Sequence, residues 1–362
     1  MTAVLLLLFS GQTALALEGD EILRSQAGAL DLDGLRRAAE EYAPDVVWTA
    51  MPDLNSGLAS LLDTGTGALQ GVVQKALRSG LLLLAIVLMA SLAEGASAGG
   101  SGKVFRAAPL AAALAITAVA VADANSLIGL GREAIGKMEV FSKVLLPTVA
   151  AATAASGAPV GAAARQMAAM LFSDVLMTLI NRVFLPLIYA YIAACTAHAA
   201  TGNEGLKRIA TTLKWVVTTL LTTVLLAFVA YLTVSGIIAG SADAVTIKAA
   251  KFTVSSLVPV VGGILSDAAE TVLASAGILK NAVGVFGMLV VLGMCVLPFL
   301  QLGVHYLIYK MTAALSATVA DSRAAGLIDG IGGAFGLVLG MTGACALLML
   351  VTMVSAIKVV SP

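Results

Sequence analysis

Long apolar runs follow one another along most of this chain, and they constrain its fold more than any other feature. They cover residues 80–98, 107–122, 144–164, 167–200, 215–239, 252–279, 282–309 and 331–357. A helix of about 20 apolar residues spans a bilayer. The 362 residues are 59% apolar and only 12% charged, too little charge to cover the surface of a soluble protein. The sequence therefore predicts an all-α polytopic membrane protein with about six to nine membrane segments.

The first residues have the features of a secretory signal peptide. Residues 4–9 are apolar, and Ala14-Leu15-Ala16 has the small-residue spacing of a cleavage site. We therefore predict a signal peptide over residues 1–16, which is too short to span a membrane. No lysine or arginine precedes Arg24, so an uncleaved N-terminal anchor remains the alternative.

A short acidic region follows the predicted signal peptide. Residues 18–63 contain ten acids against three bases, and their apolar residues recur at helical spacing. Basic residues mark cytoplasmic loops, and Lys103 and Arg106 lie in the first tight loop between two apolar runs. We therefore expect residues 17–78 to form an acidic, amphipathic region on the extracytoplasmic side. Residues 79–362 are then the polytopic membrane domain.

The run 167–200 is too long for one straight membrane span. As a single helix it would be about 50 Å long, against a hydrocarbon core of about 30 Å. Asp174, Asn181, Arg182 and Pro186 interrupt it, so we expect a broken helix or a tight hairpin. Charged groups at membrane depth need polar partners. The three polar residues therefore indicate either a water-accessible path or polar subunit contact, or else interfacial turns.

Two proline-containing elements occur twice in the sequence. Residues 145–147 and 257–259, Leu-Leu-Pro and Leu-Val-Pro, are 112 residues apart, and the same offset separates residues 185–187 from 297–299. This offset suggests an internal duplication. If each arm crossed the membrane an odd number of times, the two arms would be inverted, as in many secondary transporters.

Glycines recur at intervals of four residues in the last apolar run. Gly332, Gly336 and Gly340 lie one turn apart on one face of a predicted helix. Because that face has no side chains at these positions, the backbone of a neighbouring helix can approach it closely. We therefore predict helix–helix packing along these three glycines.

Motifs for catalysis or metal binding are missing from the sequence. The three cysteines lie inside apolar runs without a C-x-x-C pair, and the two histidines have no neighbouring acids. Gly131-x4-Gly136-Lys137 lacks both the Ser or Thr and the preceding strand of a phosphate loop. No basic face suited to nucleic acid is present. We therefore expect no enzyme activity, no cofactor, no metal and no nucleic-acid partner.

The region from residue 243 to 285 carries a distinctive succession of short elements. It contains Asp-Ala-Val-Thr-Ile-Lys-Ala-Ala-Lys-Phe at 243–252, Leu-Val-Pro-Val-Val-Gly-Gly at 257–263, Leu-Ser-Asp-Ala at 265–268 and Leu-Lys-Asn-Ala-Val-Gly-Val at 279–285. Together with the signal-like start, the acidic region and the Leu-Leu-Pro element, this succession resembles the stage III sporulation protein AE family of endospore-forming bacteria.

The resemblance implies a place in sporulation. Members of that family are polytopic proteins of the mother-cell membrane around the forespore, within a secretion-like channel complex that supports forespore development. The implied partners are the other membrane subunits of that complex and the lipid bilayer. The positions expected to act in assembly or gating are Pro259, Gly262, Gly263, Asp267, Lys280, Asn281 and Gly284. A secondary transporter with inverted repeats and a non-conducting membrane scaffold are the alternatives.

The residues of this region also predict an irregular backbone. Pro259 removes a backbone donor, and the pair Gly262-Gly263 loosens the helix, so we expect the chain to break or re-enter within the membrane here. Freed backbone groups must be satisfied by protein or by water, which favours a buried or pore-lining position. Lys280 can then reach an interface or an aqueous path, and Asn281 can hydrogen-bond across helices.

Overall fold

The structure is a computed structural model, and nearly everything it describes is helical. It describes residues 32–42, 54–97, 107–157, 159–257, 262–319 and 322–358. Only the backbone is described at 32, 94–97, 107–109, 159, 165, 235–257, 262–273, 322 and 358. The helices are α1 (Leu32–Tyr42), α2 (Leu54–Ser97), α3 (Ala107–Ala155), α4 (Pro159–Leu179), α5 (Leu185–Thr201), α6 (Glu204–Leu257), α7 (Gly262–Ser316) and α8 (Ser322–Lys358). The predicted signal peptide, the loop with Lys103 and Arg106, and Pro259 lie outside the described residues.

Six helices within the described ranges are long and apolar enough to cross a membrane. They are Leu54–Ala93, Leu110–Ala155, Val160–Thr201, Glu204–Val234, Ala274–Ser316 and Arg323–Ile357. The predicted all-α polytopic fold is therefore confirmed. The helices are also longer than a membrane requires, since the 55 residues of α7 extend for about 82 Å against a hydrocarbon core of about 30 Å.

Charged residues between the apolar runs do not end the helices. The polar stretch 123–143 lies inside α3, and residues 280–281 lie inside α7, so runs predicted as separate spans are joined. The predicted domain boundary between residues 78 and 79 likewise falls within α2. A helix ends where its backbone is interrupted, whereas a charged side chain on its outer side leaves the hydrogen-bond ladder intact.

The run 167–200 neither breaks nor turns back. A π-helical segment, Ile180–Phe184, joins α4 and α5 into one continuous helix. In this segment the N–H of Leu185 donates to the carbonyl of Ile180, five residues earlier. Pro186 follows at once, and because it lacks an N–H and its ring crowds the preceding turn, the helix widens locally. The predicted hairpin is therefore wrong, and the interruption is a π segment.

Helix α8 lies at the centre of the bundle. It packs against α3, α4, α5, α6 and α7, while α2 lies outside it, against α3 and α7. The most apolar stretch of α8 is 61% buried, whereas those of α2 and α6 are each 22% buried. The other candidate spans therefore surround the last one.

Successive helices run in opposite directions. Tyr309 faces Gly332 and Gly284 faces Ile357, which makes α7 and α8 antiparallel. The remaining helices are oriented by contacts of Asp123 with Tyr309, Leu145 with Gly287, Gly57 with Leu289, Gly80 with Ile308, Cys195 with Gly330, Met177 with Cys345, Lys214 with Gly333 and Leu221 with Gly340. Accordingly α3, α6 and α8 run one way, and α2, α4–α5 and α7 run the other way.

This alternation does not support inverted arms. Pro186 lies in α5 and Pro298 in α7, and these two helices run in the same direction. The offset of 112 residues covers two successive helices, and two opposite crossings restore the original direction. Pro186 and Pro298 are therefore related by a parallel arrangement, not an inverted one, while Pro259, at the same offset from Pro147, lies outside the described residues.

A layer of sulfur atoms marks the middle of the bundle. Met138 Sδ lies 3.5 Å from Cys295 Sγ, and Met177 Sδ lies 4.0 Å from Cys345 Sγ. Helices α3, α7, α4 and α8 therefore meet at this height. Both cysteines are buried free thiols, in agreement with their positions in apolar runs. These four residues are called the sulfur layer below.

Candidate functional site

Two of the three predicted packing glycines lie in the seam between α7 and α8. A Cβ placed on Gly332 would lie 3.0 Å from Cβ of Tyr309 and 3.7 Å from backbone atoms of α7. A Cβ on Gly336 would lie 3.1 Å from the ring of Tyr306. Gly340 is exposed, and a Cβ there would make an ordinary contact with α6 at 3.7 Å. Of the three glycines, Gly332 lies closest to the backbone of α7.

Lys280 and Gly284 meet the last turn of α8. Lys280 is 1% exposed, and its Nζ donates to the carbonyl of Ile357 at 3.3 Å. The last carbonyls of a helix lack partners within it, so this ammonium satisfies one of them and complements the negative end of the helix dipole. A Cβ on Gly284 would lie 2.7 Å from Ile357 Cγ1. Asn281, by contrast, is exposed.

The other signature residues lie beyond this contact. Gly262, Gly263 and Asp267 are in the first turns of α7, where only the backbone is described. Since α8 ends at Lys358, the 18 residues of α7 before Lys280 continue past that end, over a length of about 27 Å. The signature therefore covers both an extension of α7 and its contact with α8.

A charged surface lies on α3 and α4 at the height of the sulfur layer. Lys137 pairs with Glu133 at 2.9 Å, and Lys143 pairs with Glu139 at 3.0 Å, all on the outer side of α3. Asp174 of α4 is exposed, and it lines a groove of about 350 Å³ with Glu139 and Lys143. A methionine of the sulfur layer lies in the same groove. These five charged residues are called the charged face.

Asn181 and Arg182 project outward from the π segment, and both are exposed. In the described part of the chain no ion pair joins Arg182 to Asp174, which lies eight residues earlier on the same helix. At that separation the two positions are about 12 Å apart along the axis. The predicted intramembrane polar residues are thus on the outer surface and do not form one compact site.

The side of the bundle formed by α6 is apolar at the same height. Leu226 and Val229 are 65% and 45% exposed. Leu221 contacts Gly340, and five residues further along these two parallel helices come Leu226 and Cys345. Leu226 is therefore level with the sulfur layer and with the charged face.

Helices α2 and α3 expose apolar side chains at this height, such as Leu62 of α2, and also nearer the other end of the bundle. Leu88 and Met89 of α2 and Leu114 of α3 are 40%, 68% and 63% exposed. They lie near Ser91, whose hydroxyl donates to the carbonyl of Val319 between α7 and α8 at 2.6 Å. If the bilayer plane is perpendicular to the bundle axis, a bilayer that covers the apolar surface of α6 also covers the charged face.

Helix α8 has a second glycine face, which sequence reasoning missed. A Cβ on Gly330 would lie 2.8 Å from Cys195 Sγ, and a Cβ on Gly333 would lie 2.9 Å from Tyr191 Oη. These contacts bring α5 close to α8 beside an open cleft that Gly326 also lines. The spacing of four between Gly326 and Gly330 matches that of the predicted glycines and could have indicated this face.

Comparison with known proteins places the chain in a family. The profile of stage III sporulation protein AE matches residues 59–360. The stage III sporulation protein AE of Bacillus subtilis (strain 168) is 28% identical over 188 residues, which are 52% of this chain and 47% of that relative. The chain thus spans about half the length of the relative it matches. No solved structure matches it. The chain belongs to the stage III sporulation protein AE family, and it is a sporulation-related membrane protein.

Proposed function

We propose that this protein is a subunit of a membrane channel complex linking mother cell and forespore, and that its charged face borders other subunits or water. The observation that carries the proposal is the shared height of the charged face and the apolar surface of α6. Ionised side chains are costly against hydrocarbon. A subunit of an assembly can turn such a face to a neighbour or an aqueous passage and keep its apolar side in lipid.

We further propose that the end of the bundle where α2 begins is extracytoplasmic, in the mother-cell membrane. The opposite end carries clustered bases, which favour the cytoplasmic side. They are Lys207, Arg208 and Arg323, while Lys103 and Arg106, between α2 and α3 in the sequence, lie outside the described residues. The acidic region precedes α2 in the sequence. Because six helices alternate in direction, the end of α8 lies on the same side as the start of α2.

Labelling at Ser56 tests this orientation. Ser56 is exposed in the first turn of α2. In a background with the three native cysteines replaced, Ser56→Cys is expected to react with an impermeant maleimide in intact mother cells whose outer layers have been opened. A cysteine at Arg208, at the other end of the bundle, should react only after lysis. The reverse pattern would contradict the orientation.

Labelling at mid-height tests the charged face. Asp174 of α4 and Leu226 of α6 are level with each other on two adjacent helices, and both positions are exposed. In membranes that contain this subunit alone, we expect a water-soluble maleimide to modify Asp174→Cys at least about tenfold faster, because thiolate formation needs water. In the complete assembly, the labelling rate of Asp174→Cys should fall if another subunit covers the charged face. The rate should stay the same if the charged face borders water. Equal, slow labelling of both residues under both conditions would place the charged face in lipid and refute the proposal.

Two experiments test the rival functions, a secondary transporter and a non-conducting scaffold. Saturable solute uptake by the protein alone in liposomes would favour a secondary transporter. The scaffold alternative requires other subunits to co-purify from sporulating cells and forespore development to proceed when Glu139, Lys143 and Asp174 are made neutral. Defective development with normal membrane levels and normal partner recovery would instead support an aqueous role for the charged face.

A further inference from the structure

A polar cleft opens at the end of the bundle that carries the clustered bases. It lies between α5, α6 and α8 and has a volume of about 390 Å³. Its lining includes Tyr191, Cys195, Lys207, Lys214, Arg323 and Asp329. The cleft is on a different part of the surface from the charged face.

The cleft exists because glycines replace side chains on its α8 wall. Gly330 and Gly333 let Cys195 and Tyr191 of α5 approach the backbone of α8, and these two side chains form the floor. Gly326, nearer the opening, has no neighbour within 4 Å of a Cβ position, so its side of the cleft stays empty. A larger residue at this position would occupy the space.

The turn between α5 and α6 forms the rim of the cleft. Gly202 has a φ of 70°, which favours glycine, and it ends α5 so that α6 can begin two residues later. A Cβ on Gly202 would lie 3.1 Å from Nη1 of Arg323. The turn thus leaves room for the guanidinium at the mouth of the cleft.

Positive charge converges on this space from two helices. Lys207 and Lys214 come from α6, and Arg323 comes from the first turn of α8. Two acids also line the cleft. Asp329 pairs with Lys310 at 2.5 Å, and Glu204 lies 3.8 Å from Lys207. With Lys310 included, four basic side chains and two acidic side chains lie in or beside the cleft.

The helix termini add to this positive potential. Helix α6 begins at Glu204 and α8 begins at Ser322, so the positive ends of both helix dipoles lie at the end of the bundle where the cleft opens. Deeper inside, a Cβ on Gly333 would lie 2.9 Å from Tyr191 Oη and 3.8 Å from Lys214 Nζ. A hydroxyl donor and an ammonium donor therefore stand side by side at the floor.

We propose that this cleft binds a phosphate group, carried either by an anionic lipid headgroup or by a free phosphate ion. A guanidinium can bind two phosphate oxygens at once, and the lysines supply point charges around it. The volume exceeds that of a single ion and admits a headgroup. The position, at one end of the candidate spans, is where a lipid phosphate would lie in a bilayer.

The test uses the full-length protein purified in a neutral detergent. Binding of inorganic phosphate is measured by equilibrium dialysis with labelled phosphate. Lipid binding is measured by native mass spectrometry after exposure to vesicles of phosphatidylcholine with or without phosphatidylglycerol. The variants are Arg323→Gln and Lys207→Gln; Lys207 is largely exposed, so its replacement leaves the fold intact. The matched control is Arg208→Gln, since Arg208 is the exposed neighbour of Lys207 outside the cleft.

We expect the wild-type protein to retain phosphate or phosphatidylglycerol, but not phosphatidylcholine alone. Each cleft variant should weaken that binding about tenfold, the effect of losing one charge-assisted hydrogen bond, while Arg208→Gln binds normally. Binding of free phosphate identifies a soluble ligand, and retention of phosphatidylglycerol alone identifies a lipid headgroup. The proposal is overturned if neither probe binds, or if Arg208→Gln weakens binding as much as the cleft variants do.

Discussion

Gly332→Leu is expected to separate α7 from α8 and to abolish the stable bundle. At this position a Cβ would already lie 3.0 Å from Cβ of Tyr309, with backbone atoms of α7 at 3.7 Å behind it. No change of rotamer moves the Cβ of Tyr309 or the backbone behind it, so the remaining atoms of a leucine side chain force the helices apart. We expect a loss of more than about 3 kcal/mol, the upper end of the usual cost of overpacking, because α8 is also the centre of the fold. Thermal unfolding in detergent and the amount of protein in the membrane measure it.

The same substitution at Gly340 is the matched control. Gly340 lies two turns further along α8, is exposed, and would make only an ordinary contact at 3.7 Å. Gly340→Leu should therefore unfold within a few degrees of the wild type. Gly336→Leu should fall between the two, since it would meet the ring of Tyr306 and a ring can turn. If Gly332→Leu and Gly340→Leu were equally stable, the three glycines would reflect composition and not packing.

Lys280→Asp is expected to be the second severe substitution. Lys280 is almost completely buried, and its ammonium donates to the carbonyl of Ile357 in the last turn of α8. A carboxylate there would have no donor to offer that carbonyl and would stand at the negative end of the helix dipole. An uncompensated buried charge typically costs about 3–5 kcal/mol. We expect a matching loss of stability and of forespore development.

Two further variants separate charge, burial and function at this position. Asn281→Asp introduces the same acid one residue later, where the side chain is exposed, and should be tolerated. Lys280→Met keeps the length and removes the charge, and should cost only about 1–3 kcal/mol for the unsatisfied carbonyl. A Lys280→Met protein with normal levels and normal partners but defective development would favour gating, and lost partners would favour assembly. Normal development would remove Lys280 from the functional residues.

The fold class could be predicted from the sequence, but the helix boundaries could not. Apolar runs identify segments that need lipid, and the six candidate spans contain most of them, although the run 252–279 lies mainly outside these spans. Polarity, however, says little about where a helix ends. The polar stretch 123–143 sits on the outside of α3 without interrupting it, and residues 280–281 continue α7. Pro186 correctly indicated an irregular backbone, but the irregularity is a π segment and not a turn.

The contacts of the site depend on pairings between distant residues. The signature picked out Lys280 and Gly284, yet no local pattern shows that both meet Ile357, more than 70 residues later. The regular spacing of Gly332 and Gly336 predicted a packing face but not its partner, α7. The spacing also included Gly340, which is exposed because α8 turns this residue away from α7. The register between helices depends on the assembled bundle, so it cannot be predicted from a single sequence.

The central helix of the bundle, α8, is also the last of the candidate spans to be synthesised. Ribosomes extend a chain from its N-terminus at about 5–20 residues per second, and α8 comes after the other five candidate spans. Those five helices therefore enter the membrane as a group that lacks its middle. Until α8 arrives, Tyr309 and Tyr191 have no glycine surfaces to pack against. A chain that stalled within α8 would be inserted yet open, which is the state that cellular proteases remove.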